Sequence, residues 1–306
     1  MPVYKYYVCI SGIALLLFVQ TFWSIFFGRS SLDAATIEGH LNFFAKDLNS
    51  AFVIASQQQE LERKDTNNRT DGLKIMTAVS ERDRGKDYVI STSWILTKKG
   101  RVTNRMKYNE KRKNYSGQNG LIYKSIIRYT FPPNIGRRAF VAWNYKGRQK
   151  TFWYYVDNMT VGQRTTNVEF LRPPAESDFS VMDYIDVNLE EETHSLLKIE
   201  TYKDSICYVV ESAPRNKHIK YGKRVTWIDQ ENWIPLKIDY FDRSGRLWKT
   251  LSITWQNITG LWFWKKAEVE NAQNDYKTFI VIEDAKVNLG LHDRDFTRSA
   301  LGRKKF

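Results

Sequence analysis

The chain has 306 residues, which is enough for one large domain or two small ones. Its 47 Lys and Arg residues outnumber 34 Asp and Glu residues and give a formal charge of +13. The excess is spread along the sequence, which argues against a nucleic-acid-binding arm, and a basic surface suits anionic lipid head groups at least as well as nucleic acid. Cys9 and Cys207 lie in unrelated contexts, so they predict neither a disulfide framework nor a metal site, and Cys207 is expected to be a small buried residue.

The N-terminal segment predicts export. Residues 6–28 carry no charge, residues 9–19 are strongly apolar, and Lys5 and Arg29 flank the run. An apolar stretch of this length fits a signal peptide, whereas the whole charge-free run could just span a bilayer as a helix. Because no clear small-residue cleavage site is present, residues 1–30 are interpreted as either a signal peptide or a retained membrane anchor.

Two helices are predicted next. Residues 31–60 have apolar residues at three- and four-residue spacing, namely Ile37, Leu41, Phe44, Leu48, Phe52 and Ala55. This helix would pack on the main domain, or else face a partner or a membrane. Residues 57–72 almost lack apolar side chains and end in Asp-Gly, which predicts a polar linker or helix end followed by a loop. Residues 31–72 therefore read as an extra helix with a polar linker, and residues 73–85 as a short amphipathic helix that ends at Gly85.

From residue 88 the pattern changes to β-strands. Segments 88–97 and 101–108 flank Gly100 and predict a hairpin. Further strands are predicted at residues 124–133, 138–145, 151–156, 206–212, 223–229, 234–242, 248–258, 261–271 and 276–288. Turn residues separate them at roughly regular spacing, which predicts one large antiparallel sheet with few helices. A sheet of this length must curl, close into a barrel or be covered.

The strands are rich in aromatic residues, with 10 Trp, 17 Tyr and 17 Phe in the whole sequence. In residues 261–264, Trp262 and Trp264 share one face of the strand while Leu261 and Phe263 share the other. Two apolar faces imply that both are covered or that one lines a cavity, and we expect a half-closed sheet with an apolar interior. The candidate cavity residues, for each of which ordinary core packing is the alternative, are Trp94, Trp143, Trp153, Trp227, Trp255 and Trp262.

An acidic segment at residues 177–186 raises the question of a metal or catalytic site. It lacks the glycine and the ligand spacing of a calcium loop, and it has no His or Cys for zinc. Ser180 and Asp183 instead have capping-box spacing, and Phe179 would pack as a hydrophobic staple against Tyr184. The segment therefore predicts the start of a helix.

Catalytic signals are scarce in the rest of the sequence. The four histidines are scattered, His194 is placed alone in an acidic loop, and no nucleophile, phosphate-loop or dinucleotide motif is present. We therefore expect no enzyme, no cofactor and no metal. An enzyme, as the remaining alternative, would depend on Asp178, Asp183 or His194.

Several stretches, taken together and in order, resemble the bacterial outer-membrane lipoprotein-sorting protein family, which is related to the LolA and LolB carriers. These stretches are IMTAVSERDRGKD, WILTKKGRVTNRMKY, FPPNIGRRAFVAWNY, FWYYV, ESDFSVMDYID, YVVESAPR, VTWIDQENWIPLKIDYFDRSGRLWKTL and DRDFTRSAL. The resemblance covers residues 73–303 and leaves out the helix at 31–60. Glu176 departs from the family pattern, which usually has glycine before Ser-Asp-Phe.

The resemblance implies that residues 73–306 form a mainly β (α+β) domain. Its large curved antiparallel sheet would be a LolA-like half-barrel with a few covering helices, and its apolar concavity would accept acyl chains of lipoproteins or lipids. Members of this branch are often associated with efflux-type membrane transporters. Without a clear cleavage site, a retained anchor at residues 6–28 would tether the protein to the inner membrane.

Two functions follow as expectations. The first is a periplasmic carrier that binds lipoprotein acyl chains or lipids in an apolar cavity for transfer toward the outer membrane. The second is a membrane-tethered accessory subunit of an efflux-type (RND-like) transporter that carries no cargo. An inner-membrane transporter is a candidate partner in either case, and nucleic acid is not. Burial of about 15 methylenes contributes on the order of 10 kcal/mol before ordering costs, so an apolar cavity alone gives strong binding.

Overall fold

The computed structural model describes residues 34–115, 117–133, 138–146, 151–155, 163–165, 177–179, 189–216 and 219–302, and it describes side chains from residue 52 onward except at residues 118 and 163–165. The predicted leader therefore lies outside the described residues. Within the described part of the protein, no helix is both long enough and apolar enough to cross a membrane. The protein divides into two compact units, residues 1–63 and 64–306. The predicted domain boundary at residue 72 stays a prediction.

In the part of the chain that the structure describes, one long helix precedes the sheet and short 3-10 turns accompany the strands. The helix is α1 (Ala34–Glu81). The strands in the described residues are β1 (Asp87–Lys98), β2 (Arg101–Asn114), β3 (Leu121–Phe131), β4 (Ala139–Tyr145), β5 (Thr151–Tyr155), β6 (Gln163–Thr165), β7 (Glu192–Tyr202), β8 (Ser205–Pro214), β9 (Lys223–Asp229), β10 (Pro235–Phe241), β11 (Leu247–Ile258), β12 (Leu261–Asn271) and β13 (Tyr276–Val287). The 3-10 turns are Gln118–Gly120, Leu189–Glu191, Asp293–Phe296 and Arg298–Gly302.

The strands form one antiparallel sheet in the order β6-β5-β4-β3-β2-β1-β13-β12-β11-β10-β9-β8-β7. Strands that are neighbours in sequence pair with each other, except β6 and β7, which are the two edges of the sheet. β1 also pairs with β13, from Tyr88 opposite Val287 to Lys98 opposite Tyr276. The first strand therefore lies inside the sheet rather than at its edge. The prediction of one large, open and curved antiparallel sheet is confirmed.

β-Bulges interrupt the ladder at several places. The register between β1 and β13 shifts at Ser91/Thr92, and the register between β11 and β12 shifts at Thr254/Trp255. A bulge bends its strand and increases the local twist. The bulges therefore contribute to the curvature of a sheet too long to stay flat.

Strand β7 was not predicted, because its sequence ETHSLLKIETY lacks a clear apolar alternation. It pairs with β8 from Glu192 opposite Pro214 to Tyr202 opposite Ser205. The placement of His194 in an acidic loop is therefore wrong, since His194 lies on β7 and is only 4% exposed. Cys207 on β8 is fully buried, as expected.

The predicted break between two helices is also wrong. α1 runs through residues 57–72 without interruption. The side chains of residues 52–67 are exposed, and many belong to strong helix formers such as Gln, Glu, Lys and Arg. A lack of apolar residues therefore marked a solvent-exposed part of a helix rather than a loop.

Gly72 lies within α1 at a close approach to β7. A Cβ atom at this position would lie 2.6 Å from the backbone nitrogen of Ser195 and 2.7 Å from the carbonyl carbon of His194. Just beyond this point, Ile75 and Met76 pack against β8 and β9. The Asp-Gly pair that predicted a turn is instead a packing contact, because only glycine leaves room for the strand.

The C-terminal 3-10 turns cover one face of β3 and β4. Phe296 and Leu301 are fully buried there, against Ile126 and Val141. Nε1 of Trp143 donates a hydrogen bond to the backbone oxygen of Phe296 at 2.8 Å. The few covering helices that were expected are thus represented, in the described residues, by the end of α1 and by these turns.

Candidate functional site

The largest buried apolar cluster lies on one face of the sheet, and we call it the aromatic face. It consists of Trp94, Leu96, Met106, Tyr108, Tyr129, Phe140, Phe152, Phe179, Tyr221, Ile238, Tyr240, Leu251, Ile253, Ala267, Val269 and Ile280. Its strand residues come from β5 through β1 to β10, which are nine adjacent strands of the sheet. A single apolar surface therefore extends across most of the fold.

Strand alternation places these side chains together. Trp94 on β1 lies opposite Met106 on β2, and alternate residues along each strand point to the same face. Tyr108 lies opposite Tyr129 on β3 in the same way. Trp264 and Ala267 are an odd number of residues apart on β12, so strict alternation would place them on opposite faces. The bulge between β11 and β12 shifts the alternation, and Trp264 therefore packs against the same cluster as Ala267.

Aromatic rings form an edge-to-face series across the first strands. The ring centroids of Trp94 and Tyr108 are 5.9 Å apart, those of Tyr108 and Tyr129 6.0 Å, and those of Tyr129 and Phe140 6.1 Å. Each of these geometries is favourable beyond the area it buries. Together the rings give this face a broad apolar surface.

Two tyrosine hydroxyls on this face, those of Tyr108 and Tyr129, have raised pKa values. Burial raises the pKa of Tyr108 far above its ordinary value, and the neighbouring Glu110 raises it further. Burial likewise raises the pKa of Tyr129, against a small opposing effect of Arg138. The hydroxyls of Tyr108 and Tyr129 are therefore uncharged at physiological pH.

Phe179 inserts into this face from a short segment outside the sheet. It is 2% exposed and lies edge-on to Trp94, at 5.0 Å between centroids, and to Trp264, at 6.1 Å. The Oγ atom of Ser177 lies 3.0 Å from Oγ1 of Thr278 on β13. Nζ of Lys249 on β11 donates a hydrogen bond to the backbone oxygen of Asp178 at 2.8 Å. These contacts hold residues 177–179 against strands β11 and β13.

Only part of the predicted helix start lies within the described residues. Ser180, Asp183 and Glu176 lie outside the described residues, as does Tyr184, the expected partner of Phe179. What sequence reasoning missed is the contact of Phe179 with Trp94 and Trp264. No local signal reports it, because the contact joins distant parts of the sequence.

Two of the candidate tryptophans lie on the aromatic face. Trp94 belongs to its buried core, and the half-buried Trp255 packs against it. Nε1 of Trp255 donates to the backbone oxygen of Pro235 at 2.8 Å, and Arg82 lies over its ring at 4.9 Å. Their predicted role in lining a cavity stays a prediction.

The other four tryptophans are placed elsewhere. Trp143 and Trp153 contact each other at 4.9 Å beside the C-terminal turns. Nε1 of Trp227 donates to Glu200 at 2.5 Å, and Lys237 lies over the ring of Trp227 at 4.2 Å. Trp262 is half-buried and belongs to none of the described apolar clusters. The structure therefore does not bring the six candidates together.

The enzyme alternative gains one contact that sequence reasoning missed. Nδ1 of His194 lies 2.8 Å from Oγ of Ser212, and Nε2 lies 3.2 Å from the backbone oxygen of Leu189. Ser212 is fully buried, and His194, which lies at the close approach of Gly72 to β7, is only 4% exposed. The geometry of the His194–Ser212 contact is that of a satisfied buried polar contact. In the described part of the protein, no three His, Cys, Asp or Glu side chains are grouped as a metal site would require.

These features define a class of fold, an open and curved antiparallel sheet with an apolar surface that extends across nine strands. Residues 123–303 match the model of a family described as "-like: Uncharacterized protein", which is more than half of the chain, so the chain belongs to that family. No curated protein sequence matches this one.

Solved structures share the fold. A candidate outer membrane lipoprotein-sorting protein domain from Vibrio parahaemolyticus is 24% identical, with a TM-score of 0.68 over 77% of this chain and 100% of that one. A DUF1329 family protein from Desulfovibrio piger ATCC 29098 is 21% identical, with a TM-score of 0.68 over 76% and 99%. A LolA superfamily protein from Nitrosomonas europaea is 19% identical, with a TM-score of 0.55 over 76% and 99%. The LolA-like half-barrel implied by the resemblance is confirmed as the fold of this protein.

Proposed function

We propose that the protein is a periplasmic carrier that binds the acyl chain of a lipid or lipoprotein on the aromatic face. The observation that carries this proposal is the insertion of Phe179, from a segment outside the sheet, into an apolar surface that spans nine strands. An acyl chain would take the place of Phe179 against Trp94 and Trp264. Trp255, at the border of the same face, would be a further contact.

The energies favour such an exchange. A chain of about 15 methylenes gains on the order of 10 kcal/mol by leaving water, whereas exposure of one phenylalanine costs roughly 3 kcal/mol. The difference leaves room for the ordering costs of binding. Binding of this kind needs no catalytic group and selects weakly among acyl chains.

The proposal also includes a cellular role for the protein. The basic charge, the apolar run at residues 6–28 and the fold shared with a candidate lipoprotein-sorting domain support export to the periplasm and transfer of cargo toward the outer membrane. Residues 1–30 would direct export or retain the protein at the inner membrane. Residues 73–306 would hold the binding face, and residues 31–72 would precede it as an added helical segment.

Extraction of bound lipid tests the proposal. Purified full-length protein is extracted with organic solvent and the extract is analysed by mass spectrometry, with a fluorescent fatty acid for uptake. We expect co-purified acyl lipid in the wild-type extract and several-fold more uptake by Phe179→Ala, because the ring no longer competes. Phe263→Ala is the matched control, since Phe263 packs on Tyr88 in a different cluster. Protein that holds no lipid and takes up no fatty acid would contradict the proposal.

A second candidate, the accessory subunit of an efflux-type transporter, is favoured by the exposed apolar side chains of α1. Phe52 is 67% exposed, Ile54 57% and Leu61 66%. Apolar side chains that stay in water often mark a partner surface. Photo-crosslinking from position 52 in native membranes should then yield an integral membrane protein, and a crosslink only to other copies of this protein or to none would count against this candidate.

A further inference from the structure

Strand β7 leaves one edge of the sheet open. It is the last strand in the sheet order and, within the described residues, it pairs only with β8. An edge strand presents backbone N–H and C=O groups that can bind a further strand. Proteins often block such an edge with a charge, a bulge or a covering segment, so the residues of β7 decide whether a partner strand can bind.

Two residues of β7 direct their peptide groups away from the sheet. The backbone oxygen of Ile206 on β8 accepts from the N–H group of Gln230 beside β9, so Ile206 bonds on the β9 side. Ile206 lies opposite Thr201, and the two therefore form a non-hydrogen-bonded pair of the β7–β8 ladder. Because bonding alternates along a strand, Thr201 and Ile199 both direct their N–H and C=O groups outward, off the edge.

Apolar side chains accompany these outward peptide groups. Leu197 is 50% exposed, Ile199 is 56% exposed and Ile206 on the neighbouring strand is 59% exposed. Ile199 and Ile206 share one face of the sheet, since Ile206 lies opposite Thr201, two residues from Ile199. A strand that paired with β7 would remove apolar surface from water as well as bond the peptide groups.

Two features that often block an edge lie beside this stretch rather than on it. Helix α1 approaches β7 at Ser195, where Gly72 leaves room for the strand. The bulge of β7 lies between Leu196 and Lys198, and the register with β8 is regular from Lys198 to Tyr202. Residues 198–202 are therefore a regular strand whose outer side is bonded to no other described strand.

The charges of β7 are self-complementary. Lys198 and Glu200 lie on the same face, form an ion pair of 2.6 Å, and have side chains that are 56% and 34% exposed. A lysine on an edge normally repels a second copy of the same strand. An antiparallel copy that pairs Ile199 with Ile199 would place each Lys198 opposite Glu200 of the other copy. Registers centred on Lys198 or Glu200 would place like charges opposite each other, which is destabilising.

We propose that two copies of the protein associate through their β7 edges, as an antiparallel pair of strands centred on Ile199. The outward peptide groups of Ile199 bond to those of the second copy, and the opposite charges of Lys198 and Glu200 fix the register. A two-fold contact of this kind is closed, so association stops at the dimer. The aromatic face does not include β7, so dimerisation leaves that face clear and does not depend on the carrier function.

Molecular mass and hydrogen exchange test the inference. Full-length protein in dodecyl maltoside is analysed by size-exclusion chromatography with light scattering at a series of protein concentrations. We expect an equilibrium between monomer and dimer. The backbone amides of Ile199 and Thr201 should exchange more slowly as the dimer fraction rises, because the outward N–H groups become bonded. Protein that stays monomeric at every concentration overturns the inference.

Charge reversals assign the dimer to this strand and this register. Lys198→Glu and Glu200→Lys each replace two attractive pairs between copies by two repulsive ones, so each variant alone should have a dimer Kd raised by about tenfold or more. An equimolar mixture of the two variants should dimerise about as well as the wild type, because each new glutamate meets a lysine of the other variant. Circular dichroism checks that both variants are folded.

Lys286→Glu is the matched control. Lys286 is an exposed lysine that lies 3.6 Å from Asp284, two residues away on the same strand, but its strand β13 lies inside the sheet. This variant should dimerise like the wild type. A dimer that is unchanged in Lys198→Glu and Glu200→Lys overturns the inference, as does a mixture of the two folded variants that stays monomeric. Either result leaves the carrier proposal standing.

Discussion

Arg224 on β9 and Glu192 on β7 form a salt bridge of 2.6 Å inside the protein. The side chain of Glu192 has no exposed surface, and that of Arg224 is 10% exposed. The other carboxylate oxygen of Glu192 accepts from the hydroxyl of Tyr221 at 2.8 Å, and Tyr221 belongs to the aromatic face. The pair therefore joins the last strands of the sheet to the border of the candidate binding face.

We expect Glu192→Gln to lower the free energy of unfolding by about 3–5 kcal/mol, because it leaves the buried guanidinium without its counter-charge. Urea unfolding followed by circular dichroism measures the change. Glu211→Gln is the control on the neighbouring strand, where Glu211 pairs with Lys223 at 2.7 Å and the side chains are 30% and 41% exposed. That pair should contribute less than about 1 kcal/mol. Equal losses of unfolding free energy in the two variants would mean that the buried salt bridge stabilises the protein no more than the exposed one.

Local pattern predicted much of this fold. The hairpin at Gly100, the later strands and their union in one sheet follow from alternation and turn residues, which act over a few positions. Such signals are local, and the structure confirms the sheet that they predict.

The unpredicted parts depend on distant partners. Glu192 and His194 belong to an acidic, non-alternating stretch, and their burial follows only from Arg224 and Ser212 on other strands. Phe179 fills a site formed by Trp94 and Trp264. The six candidate tryptophans are scattered over the structure for the same reason. They were chosen by residue type, and residue type does not indicate which face of the sheet is covered by another segment.

The burial of His194 predicts a stability that depends on pH. Burial lowers the pKa of His194, as do Arg224 and Arg215, while Glu192 and the Leu189 carbonyl oppose the shift. The folded pKa therefore lies below the unfolded value of about 6.5. Protonation favours the unfolded state, so this stabilisation is complete above about pH 6.5 and is lost as the pH falls toward the folded pKa.

Urea unfolding at about pH 8 and about pH 5.5 measures this effect, which changes by up to about 1.4 kcal/mol per pH unit. The difference between the two conditions should be smaller in His194→Gln than in the wild type. His292→Gln serves as the control, because His292 is exposed. A pH dependence that is the same in all three proteins would assign it to other groups.

Gly72→Ala should destabilise the protein although alanine is the better helix former. The substitution gains about 1 kcal/mol of helix propensity. The added Cβ would lie 2.6 Å from the backbone nitrogen of Ser195, and relief of this overlap by a shift of helix or strand costs roughly 1–3 kcal/mol. Asn67→Ala, on the exposed part of the same helix, should be neutral or stabilising by up to about 0.7 kcal/mol. Thermal unfolding compares the two variants. A Gly72→Ala protein more stable than the wild type would show that the helix can shift away from β7 at little cost in free energy.

Asp87 should fasten the segment that follows the last strand. Its buried carboxylate accepts the backbone N–H groups of Leu289, Gly290 and Leu291 at 2.6, 2.9 and 3.0 Å. Asp87→Asn replaces one acceptor oxygen by an NH₂ group that faces a donor, so we expect a loss of about 1–3 kcal/mol. Hydrogen exchange at residues 289–291 should become faster in this variant. Asp284→Asn, at an exposed site near Lys286, should leave the exchange unchanged. Equal exchange rates in Asp87→Asn and the wild type would mean that other contacts hold residues 289–291 in place, including the buried Phe296 and Leu301 farther toward the C-terminus.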